Sequence, residues 1–278
     1  YCPLNCKFCN QDHSSLEGID TIVQKIDTIK EVIKKTPRES YSVHFMGGEV
    51  FADELNPKVY TDYQYLCWEL DRWATEENIN LEICFTSNMV FNNTQELDNL
   101  LMISGPTLIT SFDPAARFNK ETFEIFKTNV KKYKNHIKSV NVIMTKPTIQ
   151  KFMSGDVEFF DYLYEHFDIY FDYYTPEKNM KTFIPNDIQL RDFMVYMLKH
   201  YPKALPFADY TSKTKKQMSC MDTVTIMPNG SYGACTVLLK DFKNVSINKQ
   251  EMEQEWFEQY NCLECKHFQY CSMGCFLS

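Results

Sequence analysis

Apolar residues fall into a repeating succession along the first 180 or so positions, with helical spacing giving way to short apolar or alternating runs and back again. Ile19, Ile22, Val23, Ile26, Ile29 and Ile33 keep helical spacing until Pro37, whose missing N–H ends the element. A strand is expected at Tyr41 to Met46. Val59, Tyr60, Tyr63, Leu66, Cys67, Leu70 and Trp73 then share one helical face, which makes Cys67 a packing residue, and Leu81 to Thr86 reads as a strand. A short helix from Thr94 to Met102 leads through Gly105 and Pro106 to a strand at Thr107 to Ser111. The pattern continues with a helix near Glu121 to Tyr133, a strand at Ser139 to Met144, a helix near Val157 to His166 and a strand at Ile169 to Tyr173.

Strands separated by helices predict a parallel sheet with right-handed crossovers, an α/β barrel that is partial or complete. Five strands are visible, and the chain opens at Tyr1 directly before a cysteine cluster. At least one further strand is therefore expected outside this sequence, for a total too small to close as an eight-stranded barrel does. The pattern changes after about Pro185, with one helix to Lys199 and then a Lys-rich stretch from Tyr201 to Lys216 that reads as a connector. Thr223 to Cys235 reads as a β-hairpin turning at Asn229-Gly230, and a helix near Glu251 to Tyr260 leads into a terminal cysteine cluster. The expected domains are thus residues 1–180, a helix and connector over 181–216, and a small cysteine-rich domain over 217–278.

Composition narrows the classes. A formal charge of -8, with 29 Lys and Arg against 37 Asp and Glu, argues against a general nucleic-acid binder, whose affinity comes from clustered cations. The sequence shows no apolar run of membrane-spanning length and no opening signal segment, so no membrane partner is expected and a cytoplasmic location is. Eleven cysteines, odd in number and locally clustered, point away from a disulfide scaffold and towards metal.

Cys2, Cys6 and Cys9 form C-x3-C-x2-C. Three thiolates on one short loop suit a 4Fe-4S cluster and leave one iron without a protein ligand; a zinc site completed by His13 is the alternative from the spacing alone. With Phe8 before the last cysteine, the loop resembles the signature of the radical S-adenosylmethionine (radical SAM) enzymes. The resemblance implies that the open iron chelates SAM, that one electron cleaves its carbon–sulfur bond, and that the 5'-deoxyadenosyl radical takes a hydrogen atom from the substrate. Phe8 then lies near the adenine. Met46-Gly47-Gly48-Glu49 follows the first visible strand and resembles the family's G-G-E motif, which contacts the SAM amino group. Thr86-Ser87-Asn88 resembles the T-x-N segment bordering SAM. Ser111-Phe112-Asp113 resembles an S-x-D-G stretch whose serine can reach the ribose, although Pro114 replaces the glycine and Asp113 can equally cap a turn. Arg117 and Lys146 are cations near strand ends that a SAM carboxylate could pair with, though neither is singled out. All these positions follow strand ends, the face where parallel barrels place their sites.

Cys220, Gly230, Cys235, Cys262, Cys265, Cys271 and Cys275 resemble, in order and spacing, the SPASM extension of peptide and sulfatase maturases. The resemblance implies two auxiliary 4Fe-4S clusters, one on Cys220, Cys235 and Cys275 and one on Cys262, Cys265 and Cys271. The first set is one ligand short, so either its cluster keeps an open iron that could bind substrate, or Cys67, Cys84 or a non-cysteine group fills the position; the family's seventh cysteine, which completes the second set, is missing here, and truncation of the sequence is the expected explanation. In isolation, the last four cysteines with His267 could instead hold one zinc ion. The expected fold is a partial (β/α)6 radical SAM barrel with a small SPASM-type iron–sulfur domain. The expected activity is oxidative modification of a peptide or protein (a crosslink, thioether, epimerised centre or formylglycine), with flavodoxin or ferredoxin as reductant. Dehydrogenation of a small molecule such as an amino sugar is the second reading, and a zinc-stabilised binding module the third. Asp172 and Tyr174, near the end of the last strand, can face the cavity or pack, and no acid or base is named.

Overall fold

A computed structural model describes residues 2–4, 6–9, 22–174, 181–208, 223–227, 232–233, 254, 257–259 and 261–266. The chain divides into two compact units, Tyr1–Leu16 with Arg38–Ala208, and Glu17–Pro37 with Asp209–Ser278.

The first unit is built on a curled, half-barrel sheet of five parallel strands in the order β1-β2-β3-β4-β5. These are β1 (Tyr41–Phe45), β2 (Leu81–Ser87), β3 (Thr107–Ser111), β4 (Ile137–Met144) and β5 (Asp168–Tyr173). Strands that neighbour in sequence also pair in space, because each is followed by at least one helix that carries the chain back: α2 (Lys58–Glu76), α3 (Gln95–Ser104), α4 (Lys120–Lys132), and the pair α5 (Lys146–Met153) and α6 (Phe160–His166). Helix α7 (Asp187–His200) follows β5. Leu205 then runs beside β5, with the Phe171 N–H donating to its carbonyl at 2.7 Å and its own N–H donating to the Ile169 carbonyl at 2.8 Å.

Side-chain alternation gives the sheet two unlike faces. Phe45, Phe85, Leu108, Val140, Val142, Met144 and Phe171 are buried on the helix-covered face. Tyr63 of α2 packs on Phe85 at 4.9 Å between ring centroids, and Phe152 of α5 and Phe193 of α7 both pack on Phe171. Register places Ser42 and His44 beside Glu82 and Cys84, Ser111 beside Asn141, and Asn141 and Ile143 beside Tyr170 and Asp172 on the opposite face. That face is the hollow of the half-barrel, and it is largely polar.

Local signals explain the boundaries. Gly105, at φ +55°, closes α3 in the left-handed conformation that glycine adopts without strain. Asn119 and Thr122 form a capping box at the start of α4, as do Asn186 and Gln189 for α7. Helix α5 is an element the apolar pattern does not reveal. Its signals are the Thr145 side-chain cap and Pro147 in the first turn, and only Thr148, Ile149 and Phe152 are buried along it.

In the second unit, α1 (Ile26–Lys35) buries Ile26, Ile29 and Ile33, three of the isoleucines whose spacing predicts it. Strands β6 (Thr225–Ile226) and β7 (Tyr232–Gly233) pair antiparallel, as the hairpin reading expects, while the turn at Asn229-Gly230 lies outside the described residues. Residues 254 and 257–259 are helical within the expected terminal helix. Among the described residues no helix is long and apolar enough to cross a membrane.

Candidate active site

The cysteine loop sits over the C-terminal ends of the strands. Cys6 and Phe8 are buried together with Tyr174, and Ala116, Ile143 and Phe183 pack against them. These partners come from the segments after β3 and β5 and from the end of β4, so the sheet forms a platform for the loop. The Cys9 N–H donates to the Cys6 carbonyl at 3.0 Å, which turns the loop back on itself. The Asn88 side-chain amide donates to the Cys2 sulfur at 3.5 Å and ties the loop to the end of β2.

Glu49 is almost fully buried beside this contact. One of its oxygens accepts from the Phe51 N–H at 2.9 Å and the Ser87 hydroxyl at 2.8 Å, and the other accepts from the Asn88 N–H at 2.6 Å. Burial pushes its carboxyl up to about 7, against the opposing pull of these bonds and of Arg117. Asn129 of α4 holds the same segment from the other side, donating to the carbonyls of Met89 at 3.0 Å and Phe91 at 2.8 Å. Met89 lies between these holds at φ +59°, a conformation that costs a non-glycine residue energy and persists only where its surroundings fix it. Gly47 is exposed, and a Cβ there would meet nothing within 4 Å, so the turn faces open space at Gly47.

Asp113 resolves as a turn cap. Its carboxylate accepts from the N–H groups of Ala115 and Ala116 and from the Thr148 hydroxyl, which shapes the segment that brings Ala116 to the cysteine loop. Arg117 follows directly. Its guanidinium lies over the Phe8 ring at 5.7 Å from the centroid, and its buried Nε has no hydrogen-bond partner. Arg117 thus separates from Lys146, which opens α5, as the cation drawn into the site. Ser111 lies on the hollow face, opposite Asn141 in the sheet register.

Burial raises the Cys6 thiol to about 11, opposed by Arg117 and reinforced by Cys2, Cys9 and Asp113. Among the described residues no three His, Cys, Asp or Glu side chains converge as a single metal ion requires. A 4Fe-4S cluster gives each thiolate its own iron, and three cysteines on one loop, with the Asn88 amide on the Cys2 sulfur and the Arg117 cation over Phe8, are a donor set of the kind such a cluster takes. His13 lies outside the described residues.

Cys67 and Cys84 are both buried. Cys67 sits on the packed face of α2, where burial pushes its thiol up to about 12, and Cys84 lies 3.5 Å from the Ser42 hydroxyl on the hollow side of β2. In the second unit Cys262 opens a one-turn 3-10 helix (Cys262–Glu264), and the Cys265 N–H donates to the Cys262 carbonyl at 3.0 Å. Cys220, Gly230, Cys235, His267, Cys271 and Cys275 lie outside the described residues. One feature of the site was weakly marked in the sequence, since Asn129 reads only as a helix residue. Of the two residues expected near the end of the last strand, Asp172 lies on the hollow face, and Tyr174 is buried with Cys6 and Phe8.

No family model matches this chain, and no curated protein does. Solved structures share its fold. Native anSMEcpe with bound AdoMet superposes with a TM-score of 0.69 at 15% identity, covering 99% of this chain and 86% of that one. Native anSMEcpe with bound AdoMet and Cp18Cys peptide gives 0.64 at 15%, covering 99% and 86%. Streptococcus suis SuiB gives 0.57 at 18%, covering 100% and 71%. At these identities the likeness establishes the architecture alone.

Proposed function

We propose that this chain is a radical SAM enzyme of the SPASM subgroup that oxidatively modifies a peptide or protein. The observation that carries the proposal is the seat of the three-cysteine loop. It lies over the C-terminal strand ends, with Asn88 on the Cys2 sulfur and Glu49 bracing Asn88. Two solved structures of the same fold hold AdoMet, one of them together with a peptide, which favours both parts of the proposal.

In this reading Cys2, Cys6 and Cys9 hold a 4Fe-4S cluster, which when bound supplies the electron for reductive cleavage of SAM and so the hydrogen-abstracting radical. The rest falls to the protein. Phe8 and its packing partners keep water from the Cys6 side of the loop. Asn88 directs an N–H at the Cys2 sulfur, which lowers the electron density there. The backbone at Gly47 borders open space in which the SAM amino group can be met by the Gly47-Gly48 turn, with Ser87 and Ser111 on neighbouring strands. Arg117, a cation with an unused donor, suits the SAM carboxylate. Glu49 spends its oxygens on the protein itself, so its role is to set the position of Ser87 and Asn88 rather than to reach outward through its side chain.

Cys220, Cys235 and Cys275, and Cys262, Cys265 and Cys271, are the proposed ligands of two auxiliary clusters, and flavodoxin or ferredoxin in the cytoplasm is the proposed reductant. Anaerobic reconstitution with iron and sulfide tests the core of this reading. The expected product is a brown protein that yields 5'-deoxyadenosine from SAM and dithionite, with the SAM cleavage lost in Cys6→Ala. A colourless, zinc-only protein that leaves SAM intact would overturn it.

A further inference from the structure

The hollow face of the sheet treats its carboxylates unequally. Glu82, towards the N-terminal ends of the strands, is paired with Lys138 at 2.6 Å and accepts from Thr107 and Ser42 as well. Asp172 lies at the opposite end of the same face, and its one hydrogen bond is from the Asn141 side-chain amide at 3.2 Å. No cation among the described residues pairs with it. Arg117, the cation drawn into the site, is directed at Phe8 and acts on Cys6 and Glu49 instead.

Position gives this carboxylate its interest. Ile143 is its partner across the β4–β5 register, and Tyr174 follows two residues later with the same facing along the strand. Tyr174 is buried with Cys6 and Phe8, and Ile143 packs against that cluster. Asp172 is therefore flanked, across and along the sheet, by residues of the cluster that seats the cysteine loop, while its open side is exposed to the hollow and can be reached from it. The remaining neighbours on its face are Tyr170, which is exposed, and Asp168, a second acid on the same strand.

We infer that Asp172 anchors a cationic nitrogen of the substrate beneath the cysteine loop, either the ammonium or guanidinium of a lysine or arginine side chain or the amine of an amino sugar. The inference rests on reading the loop as the reaction centre. Its physical basis is that an accessible carboxylate facing the hollow, with no cation among the described residues beside it, offers an ion-pair partner to an entering cation. The surrounding wall of the hollow raises the Asp172 carboxyl to about 6, the direction expected where no cation favours the charged form. Asn141 fixes one oxygen and leaves the other for the incoming donor. An overall charge of -8 does not oppose such a substrate.

The test is ligand-observed saturation-transfer NMR on the full, cluster-loaded chain, with matched charged and neutral probes. Nα-acetyl-lysine amide is compared with Nα-acetyl-norleucine amide, and glucosamine with N-acetylglucosamine. In at least one pair the cation should bind about tenfold more tightly, equivalent to about 1.4 kcal/mol. The pair that shows the preference identifies the source of the amine. Asp172→Asn should reduce that preference to less than about twofold, while Asp172→Glu, which restores the charge, should recover part of it. Equal affinities within both pairs for the wild-type chain, no detectable binding of either cation, or a preference that survives in Asp172→Asn would each overturn the inference. The wild-type comparison decides even if the variants fold poorly. Reductive cleavage of SAM by the same preparation reports on the radical SAM reading separately, because it needs neither probe.

Discussion

Glu49 offers the most direct test of how the site is held together. Glu49→Gln keeps the volume but removes the charge and one acceptor. The amide oxygen can serve Phe51 and Ser87, whereas its NH2 group then meets the Asn88 N–H, donor against donor. Leaving that buried donor unmade costs about 1–3 kcal/mol. A second effect depends on pH. The carboxyl rises from 4.5 to about 7 on folding, and at about 1.4 kcal/mol per unit that amounts to about 3 kcal/mol. Because the folded value lies above the unfolded one, the folded state holds the proton more tightly. Glu49 therefore contributes its full stability below about pH 4.5 and loses it progressively as the pH rises to about 7. Glu49→Gln cannot titrate, so its stability lacks this decline. Urea unfolding followed by far-UV circular dichroism, in steps from about pH 4.5 to 8, should show the variant less stable by about 1–3 kcal/mol at the acid end. The two curves should converge or cross above about pH 7. Profiles that run parallel over the whole range would refute the claim that an ionisable, desolvated Glu49 braces the Ser87–Asn88 segment.

Other expectations follow from the same structure. Arg117→Met keeps the apolar stem over Phe8 and removes the charge, and by calorimetry it should weaken SAM binding about tenfold or more, since a hydrogen bond to a charged partner contributes about 1.5–3 kcal/mol; an unchanged Kd would remove Arg117 from the carboxylate site. In a chain whose C-terminal cysteines, from Cys220 onwards, are all replaced by alanine, Cys6→Ala should abolish the remaining visible iron–sulfur band. Cys67→Ala in the same background should leave that band intact and register only in thermal unfolding. Phe160 is fully buried and packs against Phe112, Phe152, Phe171 and Tyr201, so Phe160→Ala should cost about 3–5 kcal/mol in urea unfolding while leaving SAM affinity in the folded protein unchanged.

The apolar pattern determined most of the first unit because each element has one dominant burial direction. The seven α2 residues predicted to share a face, Val59 to Trp73, are all buried, and β3 spans the expected Thr107–Ser111. Cysteine spacing likewise marked a candidate metal-binding loop, since covalent chain length alone keeps Cys2, Cys6 and Cys9 close. Helix α5 escaped because it is short and only two of its three buried residues, Ile149 and Phe152, are apolar, too few to make a periodic run, so its caps are the stronger signal. Side-chain roles were decided by tertiary structure. Glu49 reads as a ligand-facing residue beside a glycine pair, yet the fold turns its carboxylate inward to three donors from distant positions in the chain and its own turn. Asp113 and Arg117 are separated by three residues, and only the turn that Asp113 closes carries Arg117 over Phe8. Asp172 is marked in the sequence only by its place near the end of the last strand; that no cation among the described residues pairs with it becomes visible only when five strands set their registers and the hollow face is formed. Local sequence determined which elements form and which thiols can share a metal, because those depend on short-range spacing. Which charges are satisfied, and which are left facing the site, depended on contacts between strands tens of residues apart, and therefore on the tertiary structure alone.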